Sequence, residues 1–356
     1  MKRRSASQRW HVSSALCVAP VAVVSIFRAV PGPWPAPVVQ LVAFTPWFVL
    51  PAGAAVLLAL PARRPWAVLP AGALLALQLL WLFPPDRVAD RFLAREADPR
   101  AGGQQSTGQS QAAAPAAELT VMSLNAWKGQ ADAAEVVRLV RENGVGLLAV
   151  QELSPAMERR LDSEGLGALL PHRISRSRDG AGGGAVYSTH PIVPLDSVDG
   201  SAFHMPTVQL ELDAGGRPAS LTVTNVHTKA PVWGRAGQWR SELAALDRLA
   251  ARPGNVLMLG DFNATLDHAE FRQMLEGSAG AGTGEPASRG PLVDAGAAAL
   301  ARLVPTWPMA GPPLPGVVID HIVTGPRVRS SGYSVLPVAG TDHAAVLASL
   351  SVPAAD

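Results

Sequence analysis

Several apolar runs in this chain end on a side chain able to do chemistry, and that recurring form constrains the fold more than any other feature. The clearest is Asn255-Val256-Leu257-Met258-Leu259, which stops at Gly260 and is followed by Asp261 and Asn263 with one residue between them. The two-residue repeat of a strand places Asp261 and Asn263 together at its end. Runs ending on Asn125, Glu152, His227 and Asp320-His321 share the form, and Thr341-Asp342-His343 precedes the last apolar run. A single such pair reads as a turn, because Asp and Asn bond their own backbone. Its recurrence favours one shared site, since strand ends are where α/β proteins gather their reactive side chains.

Between these runs the pattern predicts strands at 119–124, 145–150, 184–187, 208–212, 221–226, 256–259, 317–323 and 345–352, and helices at 131–143, 239–251 and 268–275. More strands than helices points to a layered α/β sandwich rather than a doubly wound sheet. The Gly/Ala/Ser-rich stretch 277–290 is expected to be a mobile loop beside the site, and Gly182-Gly183-Gly184 a loop entering a strand, since it lacks the Gly-Lys-Ser/Thr continuation of a phosphate cradle.

Composition divides the chain. Residues 1–85 contain no acid and are dense in Leu, Val, Ala, Pro and Trp, with apolar stretches at 12–30, 38–60 and 66–83. They are expected to form a three-helix transmembrane region, with prolines 20, 46, 51 and 70 tolerated inside a membrane bundle. Basic residues at 2–4, 9 and 63–64 favour a cytoplasmic N-terminus, with Arg28 the exception in the outer loop, so a domain after the third span lies outside the cell. Residues 86–117 read as a juxtamembrane segment and flexible linker, and 118–356 as the catalytic domain. That domain carries 19 Lys/Arg against 24 Asp/Glu, and the rest of the chain 11 against 4. An acidic domain is a poor match to the phosphate track of nucleic acid. The one cysteine, Cys17, lies in the first apolar stretch and rules out an intrachain disulfide.

Asn125 in Ser-Leu-Asn-Ala-Trp, Glu152 in Val-Gln-Glu-Leu, His227 in Asn-Val-His-Thr, Gly260-Asp261-Phe262-Asn263-Ala264, Asp320-His321-Ile322 and Thr341-Asp342-His343 follow one another in the order and approximate spacing of a known group. The chain from about residue 119 onward resembles the endonuclease/exonuclease/phosphatase superfamily, which includes DNase I, abasic-site endonucleases, neutral sphingomyelinases and inositol-polyphosphate phosphatases. The resemblance implies a DNase I-like two-sheet α/β sandwich and cleavage of phosphate esters with Mg²⁺ or Mn²⁺. By the same resemblance Glu152 and Asn125 hold the ion, with Asp342 at a second metal position. Asp261 activates water. Asn125, Asn263, His227 and His343 meet the phosphate, His227 alternatively protonates the leaving oxygen, and Asp320 orients His343. His321, on the opposite face of an extended strand from Asp320, is expected to be structural. Trp127, Trp233, Trp239 and Trp307 are expected either to line a substrate platform or to pack in the core or against the membrane.

The layout is also similar to a membrane-anchored bacterial branch that includes a teicoplanin-resistance membrane protein linked to undecaprenyl-pyrophosphate dephosphorylation. The expectation is therefore a membrane-anchored, extracytoplasmic phosphohydrolase acting on a phosphate ester or pyrophosphate carried by a lipid, with membrane lipids as neighbours and no protein partner. An exported nuclease and a non-catalytic membrane binding module are the alternatives. Beyond Lys128, Lys229 and Arg240 no basic pocket for a pyrophosphate is evident near the motifs.

Overall fold

The computed structural model describes residues 6–62, 65–85, 87–88, 115–277, 290–311 and 315–354. The chain forms two compact units, one made of Met1–Thr107 with Leu266–Ala269, the other of Gly108–Thr265 and Glu270–Asp356.

The first unit is helical, with α1 (Ala6–Ala29), α2 (Ala36–Val42), α3 (Val49–Ala59) and α4 (Pro65–Leu82). Ala52, Ala55 and Ala59 form a buried small-residue stripe on α3 that lets neighbouring backbones come close. The Ser14 hydroxyl on α1 donates to the Ala55 carbonyl at 3.0 Å, and Gln78 on α4 donates to the Ser25 hydroxyl at 2.9 Å. Large apolar side chains point outward, among them Leu16, Leu50, Leu57 and Leu69. Arg28 is not an exposed exception. It is buried, pairs through Nε with Asp267 at 2.6 Å, and lies 3.9 Å over the Trp81 ring.

The three expected spans do not all form as single continuous helices. The 18 residues Val12–Ala29 are long and apolar enough to cross a membrane, with a mean hydropathy of 1.8. The second stretch is broken by the 3-10 turn Thr45–Phe48 and bends by 61°, where Pro46 and Pro51 withhold backbone donors. The third stretch forms α4, Pro65–Leu82, of which Val68–Leu82 is apolar among the described residues. Among the described residues one helix therefore meets the requirement, or two if the bent pair is counted as one. The basic residues at 2–4 and 63–64, the segment 89–114 and most of the 277–290 stretch lie outside the described residues.

The second unit is a sandwich of two mixed six-stranded sheets. One sheet contains β1 (Ala116–Asn125), β2 (Leu147–Gln151), β3 (His172–Arg176) and β4 (Gly184–Ser188), and the other β5 (Ile192–Leu195), β6 (Thr207–Asp213), β7 (Pro218–His227), β8 (Asn255–Asp261), β9 (Val293–Asp294) and β10 (Asp320–Thr324). The last two, β11 (Arg329–Leu336) and β12 (Ala345–Pro353), complete the first sheet in the order β11-β12-β1-β2-β4-β3. The second runs β5-β6-β7-β8-β10-β9.

Each sheet holds one parallel pair, β1 with β2 and β7 with β8. A parallel neighbour requires a crossover. Helices α5 (Ala133–Glu142) and α7 (Ala236–Ala250) supply them, and α6 (Pro155–Ser163) follows β2. The helix starts are written locally: Asp132 accepts from the Glu135 amide, and Ser154, just before Pro155, accepts from the Met157 amide. On β2, Leu147 and Ala149 face the core between the sheets while Leu148 and Val150 pack with α5 and α6 residues, so one strand serves two apolar layers.

A buried polar bridge crosses the sandwich beside the ends of these strands. Gln151 donates to Ser123 at 2.9 Å and to Asn225 at 2.6 Å, and Asn225 donates to the carbonyls of Val150 and Ala185, both at 2.9 Å.

The strands His172–Arg176, Ile192–Leu195 and Arg329–Leu336 were not legible from apolar alternation, being half-exposed or short. The run expected at 317–323 divides: Val317 only bridges to Trp307, and β10 begins at Asp320. The Thr306 hydroxyl accepts from the amides of both Ile319 and Asp320 there.

Gly260 shows why β8 ends as it does. Its φ is +147°, and a Cβ would fall 2.0 Å from the Val226 carbonyl oxygen on the parallel neighbour. Gly260→Ala is therefore expected to destabilise the sandwich by about 3 kcal/mol through backbone strain and overpacking, read as a lowered thermal midpoint. An unchanged midpoint would mean that the close approach is not what the glycine serves.

Candidate active site

Parallel pairing carries Asn125, Glu152, His227 and Asp261 to one end of the sandwich. Asn125 lies opposite Gln151, just before Glu152, and His227 lies opposite Asp261, which in turn faces Asp320 on antiparallel β10. The loop after β11 adds Thr341, Asp342 and His343.

Asp261 is buried at the centre. One carboxylate oxygen accepts from the Asn263 amide at 2.8 Å, and the other from the Asn125 side chain at 3.0 Å and the Asn263 side chain at 3.2 Å. His227 Nε2 and His343 Nε2 each stand 3.8 Å from that second oxygen. Burial raises the Asp261 carboxyl to about 7, with Asp320 adding to the rise and His343 and the donated hydrogen bonds opposing it. Because the folded value lies above the ordinary one, ionising Asp261 costs folding stability as pH rises from the usual carboxylate range to about 7.

His343 points Nδ1 at Asp320, 2.9 and 3.1 Å from its two oxygens. Burial by itself lowers an imidazole, but the Asp320 charge and hydrogen bond, joined by Asp261 and Asp342, outweigh it and raise His343 to about 10. The ring is thus an imidazolium with Nε2–H directed at the side where Asp261 and Asp342 lie. Thr341 positions this loop by donating to the Asn125 carbonyl at 2.8 Å and accepting from the His343 amide at 3.2 Å.

His227 is the opposite case. Burial first, then repulsion from His343 and Lys229, lowers it to about 3, so it is neutral at ordinary pH. Its ring stacks on Phe203 at 4.3 Å, and Nε2 is 3.7 Å from Glu152. A neutral donor to a phosphoryl oxygen fits these surroundings, and a resting general acid does not.

Glu152 sits just beyond β2 with φ +53°, and its carboxylate accepts from the Lys128 amide at 2.8 Å. Asn263, with φ +46°, directs its side-chain NH₂ at the Thr228 carbonyl and Asp261 rather than outward, so in this geometry it braces the Asp261 carboxylate. Asp342 accepts from the Trp307 indole at 3.1 Å through one oxygen, while the other is buried with no hydrogen-bond partner among the described residues.

That unpartnered oxygen and the Glu152 carboxylate are hard oxygen donors of the kind that suits a divalent cation such as Mg²⁺, while the Asn125 side-chain oxygen accepts from the Trp127 amide at 3.0 Å and its backbone carbonyl from Thr341. A second grouping, Asp261, Asp320 and His343, brings ligand atoms within 4.8 Å of one another. In that grouping His343 Nδ1 and the Asp320 carboxylate are already hydrogen-bonded to each other. Trp239 is wholly buried and donates to the Phe262 carbonyl, so it belongs to the core. Trp127 and Trp233 are exposed. Thr228, Thr306 and Thr341 carry much of the positioning. Thr228 and Thr341 lie inside the motifs that the sequence offers, next to His227 and Asp342, and Thr306 had no such signal.

The residues 122–343, more than half of the chain, match the model of the endonuclease/exonuclease/phosphatase family. No curated protein matches the chain. Solved structures of similar shape include a humanized D. rerio TDP2 with 14 mutations, at 14% identity and a TM-score of 0.48, over 65% of this chain and 98% of that one. An endonuclease/exonuclease/phosphatase from Beutenbergia cavernae is 17% identical with a TM-score of 0.47, over 67% and 72%. TDP2 from C. elegans is 16% identical with a TM-score of 0.47, over 78% and 84%. The chain belongs to the endonuclease/exonuclease/phosphatase family, whose members are generally hydrolases of phosphodiester or phosphate ester bonds.

Proposed function

We propose that this protein is a membrane-anchored, extracytoplasmic phosphohydrolase that cleaves a phosphate ester or anhydride carried by a lipid. The observation that carries the chemistry is the opposed state of two neighbouring groups: Asp261, held as a carboxylate poised near neutral pH, and His343, held as an imidazolium by Asp320. Titratable groups driven apart in this way make an acid–base pair. Asp261 orients a water and takes its proton while Asn125 and Asn263 fix the carboxylate. His343 donates Nε2–H to the phosphoryl oxygen on which charge grows, and neutral His227 donates beside it.

Glu152, Asn125 and Asp342 would hold Mg²⁺ or Mn²⁺, which supplies charge neutralisation at the phosphate. Membrane attachment is supported by the apolar α1 and by the outward-facing leucines of the helical unit. The basic start at Lys2, Arg3, Arg4 and Arg9 favours a cytoplasmic N-terminus, and a single crossing by α1 then carries residues 118–356 outside. The acidic balance of that part speaks against nucleic acid as the main substrate.

A panel on detergent-solubilised protein with Mg²⁺, containing plasmid DNA, sphingomyelin and undecaprenyl pyrophosphate, tests the substrate class, and preferred cleavage of the DNA would overturn it. Chelation should abolish hydrolysis and Mg²⁺ or Mn²⁺ restore it, with Glu152→Gln needing more metal for the same rate. Asp261→Asn should lower kcat by about 10²-fold or more, and near-normal turnover would remove Asp261 from the mechanism.

The pH–rate profile should rise as Asp261 ionises, at or below about 7 once a cation is bound, and fall near 10 as His343 loses its proton. Asp320→Ala combined with His343→Ala should cost little more than His343→Ala alone, because Asp320 acts through the ring. Multiplicative losses would separate the pair. For topology, a reporter fused after Asp356 should be active outside the cytoplasm, and activity confined to the cytoplasm would reverse the orientation.

A further inference from the structure

We propose that His321 is a positioning residue for the hydrolytic site, anchored by Asp294 and holding the Ala264 carbonyl so that the turn carrying Asp261 and Asn263 keeps its shape. The inference rests on the function proposed above and extends it to a residue on the far side of β10.

Asp320 and His321 are successive strand residues, so they face opposite sides of the sheet. Asp320 opposes Asp261 in the register and turns toward His343, while His321 opposes Gly260 and points behind the site. There Nδ1 of His321 hydrogen-bonds the Asp294 carboxylate, and Nε2 lies 2.9 Å from the Ala264 carbonyl oxygen. Both partners are acceptors. Only a ring carrying a proton on each nitrogen satisfies both at once. Burial alone would lower this imidazole, but the Asp294 charge and hydrogen bond raise it, and the same pair holds the Asp294 carboxyl low despite its burial.

The anchor is itself fixed. Asp294 ends β9, and its other oxygen accepts from the Ala297 amide at 2.7 Å, capping the short helical turn Ala295–Ala298. Phe262 and Phe271 stand against the His321 ring at centroid distances of 5.6 and 4.6 Å, which confines it to this orientation.

What His321 holds is a turn whose carbonyls are fixed by hydrogen bonds from side chains around it. Gly260 and Asn263 both have positive φ, at +147° and +46°; glycine adopts such values freely, whereas Asn263 holds the left-handed conformation at a modest cost. Thr228 and Trp239 donate to the Phe262 carbonyl from one side, at 2.5 and 3.2 Å. His321 donates to the Ala264 carbonyl from the other. Asp261 and Asn263 lie on the same short turn, so a shift of the Ala264 peptide moves the base and the group that orients it. A histidine that served packing alone would affect melting temperature and leave turnover alone.

The test uses the full chain in detergent with Mg²⁺, acting on the ester that the panel identifies. His321→Gln retains one donating group but cannot span both acceptors. Its kcat should fall on the order of 10²-fold, the effect of a small misplacement of a reacting group, with KM changed by less than about twofold. Deuterium exchange at the amides of residues 262–265 should accelerate by about tenfold or more, while that of β1 and β12 stays as in the wild type. Asp294→Asn should reproduce both effects more weakly, and ¹⁵N resonances of wild-type His321 should show both ring nitrogens protonated at neutral pH.

A variant with lowered melting temperature but wild-type kcat overturns the proposal, as does unchanged exchange at 262–265. If His321→Gln does not fold, Asp294→Asn and the ¹⁵N spectrum decide, and a neutral single tautomer in the wild type overturns it. Failure of the functional reading is separately visible, because the wild-type protein itself would then hydrolyse nothing on the panel while the exchange arm still reads the turn.

Discussion

The need to keep Asp261 ionisable while it is shut away from water governs the arrangement around it. An isolated carboxylate in such a place would simply stay protonated. Here Asn125 donates from one sheet, Asn263 donates from the turn beyond β8, and the His343 imidazolium stands 3.8 Å away from a third direction. His343 bears its charge only because Asp320 lies against Nδ1. The two buried acids and the one buried base therefore form a single electrostatic unit, and substituting one member changes the protonation of the rest.

That unit depends on the topology of the sandwich. Two parallel strand pairs, one in each sheet, end on the same side, so side chains far apart in sequence meet within hydrogen-bond reach. The Gln151–Asn225 bridge joins the two sheets just behind the site and leaves only the Gln151 side-chain oxygen without a partner among its own amide atoms. Buried amides of this kind are tolerated only when their partners are fixed, so the bridge favours one sheet-to-sheet register over neighbouring ones. Gly260 adds a steric limit, because the backbone of β8 approaches Val226 too closely for any side chain at that point.

The helical unit follows a different rule. Its interior is made of valines and alanines with small hydroxyl residues, and several large leucines lie on its exterior. Arg28, an isolated charge when read along the sequence, finds Asp267 and the face of Trp81. Asp267 comes from a four-residue segment far along the chain that belongs to this unit.

The sequence by itself determined the layered α/β class and the strand-end residues, because the two-residue repeat of a strand and the polar residue that ends it are local properties. It also placed Asp320 and His321 on opposite faces, which follows from adjacency in an extended chain. Tertiary structure decided what those residues do. Which of two histidines is charged depends on whether a carboxylate is hydrogen-bonded to the ring, as Asp320 is to His343, or the carboxylates stand 3.7 and 3.8 Å off while burial, His343 and Lys229 oppose the charge, as for His227. Asn263 turns inward because Thr228 offers it a carbonyl, and Trp239 belongs to the core because Phe262 does. Broken apolar helices were likewise invisible to hydropathy, which counts side chains and takes no account of the amide hydrogen that each proline lacks. Spacing along the chain is written in the sequence, whereas burial and the distance to the nearest opposite charge exist only once the two sheets have closed.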